Sequence, residues 1–147
     1  MKGKRGFFGV AILHPKKEVN VGGLCRSAAI LGAAFVAVIG RRFQPQASDT
    51  MKSYRHVPFF EFESFEEFYS KLPYGSKLVG IELSERATDL ASFTHPEQAV
   101  YILGAEDHGL PDQVMDRCHA LVRLRGDFSM NVAVAGTIVL YHRVGYE

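Results

Sequence analysis

Three short stretches hold the residue types that could do chemistry. N-V-G-G-L-C-R runs from Asn20 to Arg26, L-G-A-E-D-H-G-L-P from Leu103 to Pro111, and S-M-N-V-A-V-A-G from Ser129 to Gly136. In the first, Gly22 and Gly23 stand four and three residues before Arg26, spacings that share a helix face. The guanidinium then lies beside bare backbone. A phosphate or ribose could meet N–H groups and a bidentate donor there together. Read as a helix opening at Asn20, the stretch breaks local rules. An arginine is poorly placed near the positive end of a helix, and each glycine weakens it by about 0.5–1 kcal/mol. Such a conflict marks a functional site. The blander alternative for Arg26 is a surface ion pair.

The second stretch joins a strand to a helix and carries Gly104 and Gly109. A phosphate-binding P-loop would end in Gly-Lys-Ser/Thr, whereas Gly109 is followed by Leu110 and Pro111. Glu106 and Asp107 would repel a triphosphate, and the dinucleotide pattern G-x-G-x-x-G is absent. ATP and NAD are therefore disfavoured. An acidic, glycine-rich loop tolerates a neutral or cationic ligand better, and S-adenosylmethionine, a sulfonium without phosphate, meets that constraint. An ordinary tight turn is the alternative.

These residues need a scaffold. At 147 residues and 47% apolar the chain suits one domain, residues 1–147, with a sizeable core. Strands are predicted at Phe7–Leu13, Ala34–Gly40, Val57–Phe60, Lys77–Leu83, Ala99–Ala105 and Ala120–Leu124. A helix is expected from Asn20, with the stripe Val21, Leu24, Ala28 and Leu31 buried and Gly32 as its stop. Others are expected at Ser64–Leu72, with Ser64 and Glu67 as a capping box, at Pro111–Cys118 and at Ser129–Tyr141, with a helical turn in Ala87–Phe93. Strands alternating with helices predict an α/β domain with a mostly parallel sheet and helices on both faces. Ligands bind beyond the carboxyl ends of such strands. The unusual stretches follow Leu13, Leu103 and Leu124, so they converge on one edge.

The three stretches, in this order, resemble the SPOUT superfamily of methyltransferases, in its SpoU/TrmH branch. N-V-G-G-L-C-R is similar to that branch's N-x-G-x-x-x-R, L-G-A-E-D-H-G-L-P to G-x-E-x-x-G-L, and S-M-N-V-A-V-A-G to S-L/M-N-V-x-x-A. The resemblance spans about residues 7–145. It implies an α/β fold with a C-terminal trefoil knot, a homodimer, S-adenosylmethionine as cofactor and ribose 2′-O-methylation of RNA, with tRNA favoured. It implies that Arg26 acts across the dimer interface to position and activate the ribose hydroxyl. Asn20 and Glu106 would orient the site, and Ser129 and Asn131 would hold the reacting groups and the knot loop. Gly104, Glu106, Gly109, Leu124, Ser129, Met130 and Asn131, with Leu83 at the end of its strand, would receive the cofactor.

One departure stands out. Many relatives carry Ile-Pro-Met and a longer loop before the third stretch, where this chain has R-L-R-G-D-F. Arg125 is unusual there and could face RNA. Charge is nearly balanced, with 17 Lys+Arg against 16 Asp+Glu, so RNA must be met by a local patch. Lys2, Lys4 and Arg5, Lys16–Lys17, Arg41–Arg42 and Arg123–Arg125 are the basic clusters; Tyr54, Arg55 and His56 are further options, with surface packing preferred. The six histidines lack ligand spacing and no metal is expected, though His108 could touch substrate. Cys25 and Cys118 read as reduced and structural, as in a cytoplasmic protein, and no membrane span or signal peptide is expected. The competing functions are an rRNA 2′-O-methyltransferase, a catalytically silent RNA-binding dimer on the same scaffold, and a generic nucleotide-binding α/β protein.

Overall fold

The computed structural model describes residues 6–40, 56–104, 109–127 and 130–145. Within these, the strands are β1 (Phe7–Leu13), β2 (Phe35–Ile39), β3 (Phe59–Phe62), β4 (Lys77–Ile81), β5 (Thr88–Asp89), β6 (Gln98–Leu103) and β7 (Ala120–Arg123). Among the described residues the helices are α1 (Glu18–Leu31), α2 (Phe65–Ser70), α3 (Asp112–Arg117) and α4 (Val132–Gly145), with a 3₁₀ turn at Leu90–Ser92. All the strands lie in one sheet, in the order β3-β2-β1-β6-β4-β7-β5, and every neighbouring pair is parallel.

Alternate residues of the central strands enter two separate cores, which is why those strands read as unbroken apolar runs. Val10, Ile12, Val36, Val38, Tyr101 and Leu103 face α1 and α4, through Leu24, Ala28, Val139 and Leu140. Ala11, Leu13, Ala37, Ile39, Val100 and Ile102 face α2 and α3, through Phe68, Val114 and Met115. α1 and α4 pack closely. A Cβ on Gly136 would fall 2.7 Å from Leu24 Cδ1, and the Thr137 and Ser27 hydroxyls share a hydrogen bond at 2.7 Å.

Several boundaries differ from the sequence reading. α1 begins at Glu18, so Asn20 is not its cap but a buried residue in its first turn. Its N-terminal flank is Lys17, which makes no side-chain cap, while Glu18 complements the positive helix end. Gly22 and Gly23 therefore lie in the second turn and Arg26 in the third. Gly32 does stop the helix, at φ 86° with its N–H on Ala28 O. β3 covers Phe59–Phe62 rather than Val57–Phe60; Pro58 has no N–H and contributes only its carbonyl, to Val36 N at 2.9 Å.

α2 is capped by Ser64, which accepts from Glu67 N at 3.1 Å, but the Glu67 carboxylate takes Glu63 N, one residue before the box position. β4 ends at Ile81, not Leu83, and β6 at Leu103, not Ala105, leaving glutamate and glycine to turn the chain. α4 is later than expected, Val132–Gly145. β5 was not foreseen. Residues 82–87 leave β4 and cross β7 to reach it, because β7 lies between the two.

Candidate functional site

The carboxyl ends of β1, β6, β4 and β7 lie in that order along one edge, so β4 stands between two of the three strand ends expected to converge. β1 leads into α1 and the segment after β7 leads into α4. There the Asn131 amide donates to Asn20 Oδ1 at 3.0 Å. Its own Oδ1 accepts from Ala133 N at 2.9 Å and Val134 N at 3.2 Å, capping α4. Because both backbone N–H groups need the Asn131 oxygen, its NH₂ must be the group turned to Asn20. The first and third stretches are thereby joined by one hydrogen bond. Burial of Asn20 to 9% exposure explains why asparagine sits inside a helix.

The Arg26 backbone lies six residues beyond Asn20, about 9 Å along the axis, on the outer face of α1 between exposed Val19 and Ile30. A Cβ at Gly22 would meet nothing within 4 Å, so backbone there is open. On α4, Val134, Ile138 and Tyr141 form a matching exposed stripe at 50%, 38% and 67%.

The second stretch folds back at its base. Gly104 is buried against the backbone of Gly109 and Leu110, leaving no room for a Cβ, and Gly109 has φ 60°. Glu82, unmarked by any sequence signal, straps it. Its Oε2 accepts from Leu110 N at 2.6 Å and lies where a Gly109 Cβ would go; its Oε1 accepts from Leu83 N at 2.9 Å. Leu83 and Met130 are exposed at 43% and 42%, and Leu124 is half-buried against the first core. Glu106, His108 and Ser129 lie outside the described residues, as do Lys2, Lys4, Arg5, Arg41, Arg42, Tyr54 and Arg55.

At the β7 end, Asp89 accepts from Arg123 Nε at 2.6 Å and Arg125 Nε at 3.2 Å, and Arg123 also donates to Ser84 O at 3.2 Å. The Arg123 hydrogen bond, chiefly, holds the Asp89 carboxyl below its usual range. The arginine expected to be unusual is thus tied back by its Nε while the rest of its side chain is exposed. Cys25 and Cys118 form no disulfide, and burial pushes the Cys118 thiol up to about 11. Among the described residues no helix is long and apolar enough to cross a membrane, and none of their His, Cys, Asp and Glu side chains form a metal-binding group.

Residues 8–141 match the SpoU rRNA methylase family. The chain belongs to that family. A curated relative of this SpoU chain is the tRNA (guanosine(18)-2'-O)-methyltransferase TARBP1 of Mus musculus, 29% identical over 135 residues; the match covers 85% of this chain and 8% of that one. The chain thus spans less than a tenth of the length of this relative. Two solved structures share the fold. The AdoMet-bound rRNA methyltransferase of Sinorhizobium meliloti superposes with a TM-score of 0.86 at 24% identity, over 97% of this chain and 57% of that one. A protein described under 2-OH methylation of C/U34 on tRNA superposes with a TM-score of 0.80 at 23% identity, over 99% of this chain and 100% of that one.

Proposed function

We propose that this SpoU-family chain is an S-adenosylmethionine-dependent ribose 2′-O-methyltransferase acting on structured RNA, with tRNA favoured over rRNA. The Asn20–Asn131 hydrogen bond carries the reading, because it joins two of the family's stretches at the ligand-binding edge of a parallel sheet. The tRNA preference is supported by the tRNA-methyltransferase name of TARBP1.

The residues fit the cofactor. Gly104 and Gly109 close a tight turn at the end of β6, and exposed Leu83 and Met130 with half-buried Leu124 offer apolar surface for an adenosine. S-adenosylmethionine supplies an electrophilic methyl group when bound. The protein's part is orientation. Arg26, together with an RNA phosphate, orients the ribose hydroxyl and stabilises the charge that grows as its proton leaves. Asn20 and Asn131 fix the N-terminal turns of α1 and α4. Glu106 and Ser129 complete the set, Glu106 by orienting and Ser129 by holding the reacting groups.

Arg26 stands on the outer face of α1 among exposed apolar residues, which supports a homodimer in which it serves the partner's site. The crossing of β7 by residues 82–87 supports a trefoil knot, since the chain leaving β7 toward α4 must pass that link. The test is methyl transfer from labelled S-adenosylmethionine to tRNA and rRNA fractions that lack the modification, read as nucleosides. Label in a ribose-methylated nucleoside, falling by at least about 100-fold in Arg26→Ala, supports the reading. RNA binding with neither methyl transfer nor cofactor binding favours the silent RNA-binding dimer.

A further inference from the structure

We propose that His14 is a nucleobase-stacking residue on the RNA-binding face, an inference that rests on the RNA-methyltransferase reading. His14 is the non-glycine residue with positive φ among the described residues, at 51°. Histidine tolerates this region better than most side chains, yet it remains uncommon. The following Pro15 steers the residue before it toward extended backbone, so two local preferences are overridden at once.

The surroundings account for where the ring goes. His14 N donates to Ile39 O at 2.8 Å, closing the β1–β2 ladder, and the chain then turns sharply. Gly40, at φ 83°, ends β2 with its N–H on Phe62 O at 2.8 Å. The His14 imidazole occupies the space a Gly40 Cβ would take, against Nδ1 and Cε1. The ring therefore has a floor of hydrogen-bonded backbone. His14 is nevertheless exposed, and so are Lys16 and Lys17 just beyond it. An aromatic ring backed by rigid backbone, open to solvent, flanked by cations and set at the carboxyl edge that carries the candidate site, has the chemistry of a stacking platform for single-stranded RNA.

His14→Gly separates the two roles, because glycine accepts the backbone while deleting the ring. His14→Asn is the second variant, tolerant of the same backbone and without a ring. Each full-length protein is assayed for affinity to unmodified tRNA at fixed salt, KM for that tRNA, S-adenosylmethionine affinity and Tm. The proposal expects RNA affinity to weaken and KM to rise by about 10- to 100-fold in both variants. Cofactor affinity holds within about twofold, and Tm in His14→Gly is unchanged or higher. RNA affinity unchanged in both variants overturns it. So does an equal loss of RNA and cofactor affinity, or a wild-type protein that binds no RNA. A wild-type protein that binds RNA but neither binds S-adenosylmethionine nor transfers a methyl group defeats the enzymatic reading while leaving the His14 comparison readable.

Discussion

Glu82 works at the scale of single atoms. One carboxylate takes two backbone N–H groups, one on its own side of the turn and one at the base of the glycine loop. Glu82→Ala should weaken S-adenosylmethionine binding about tenfold and cost about 1–3 kcal/mol in urea unfolding, the usual penalty for stranding a part-buried donor. Glu82→Gln has a single acceptor oxygen and should fall between the two. Equal cofactor affinity in all three proteins would remove any role for Glu82 in holding the loop. Residue type and spacing pointed to Asn20 and Arg26, whereas Asn131 was legible only through the resemblance of its stretch to the family. The sequence could not point to Glu82, whose partner lies 28 positions away and is a main-chain group with no side-chain signature. Asn20 was legible as special but not as buried, since its local preference for a helix cap gave way to a partner 111 positions on.

At the scale of elements, β1 was readable to the residue because a seven-residue apolar run bounded by Gly6 and by His14–Pro15 is too short for a buried helix. β5 was not. Thr88 and Asp89 have no strand signal and become a strand only by pairing with Val122 and Arg123. The far end of α4 was also hidden. Arg143 is 4% exposed and donates to the carbonyls of Pro96 and Glu97 at 2.6 and 2.8 Å, pinning α4 to the amino ends of β1 and β6. Beside it, His95 shares hydrogen bonds with Tyr101 at 2.6 Å and His142 at 2.7 Å. Burial, then the charges of His142 and Arg143, lower His95 to about 4. The unfolded chain takes up a proton near pH 6.5 that the folded chain refuses. Stability should therefore fall as pH drops from about 6.5 to about 4 and level off below. Denaturant titrations across that window should show a smaller slope in His95→Gln. An unchanged slope would mean the ring is protonated in the folded protein.

At the scale of the whole molecule, the outer faces of α1 and α4 are apolar where a solitary surface would be polar. If that face joins two copies, Ile138→Asp should shift sedimentation from dimer to monomer and remove methyl transfer while sparing cofactor binding. A monomeric wild-type protein with full activity would end the proposal that Arg26 serves a partner. The order of the strands has a further consequence, for the growing chain. β5 pairs with β7 alone, and the segment feeding α4 leaves from β7. Until residues past 123 have left the ribosome, β5 has no neighbour, Asp89 has no arginine, and Asn20 has no Asn131. The carboxyl edge of the sheet is thus completed last, and a chain that stops short of Asn131 should bind no S-adenosylmethionine.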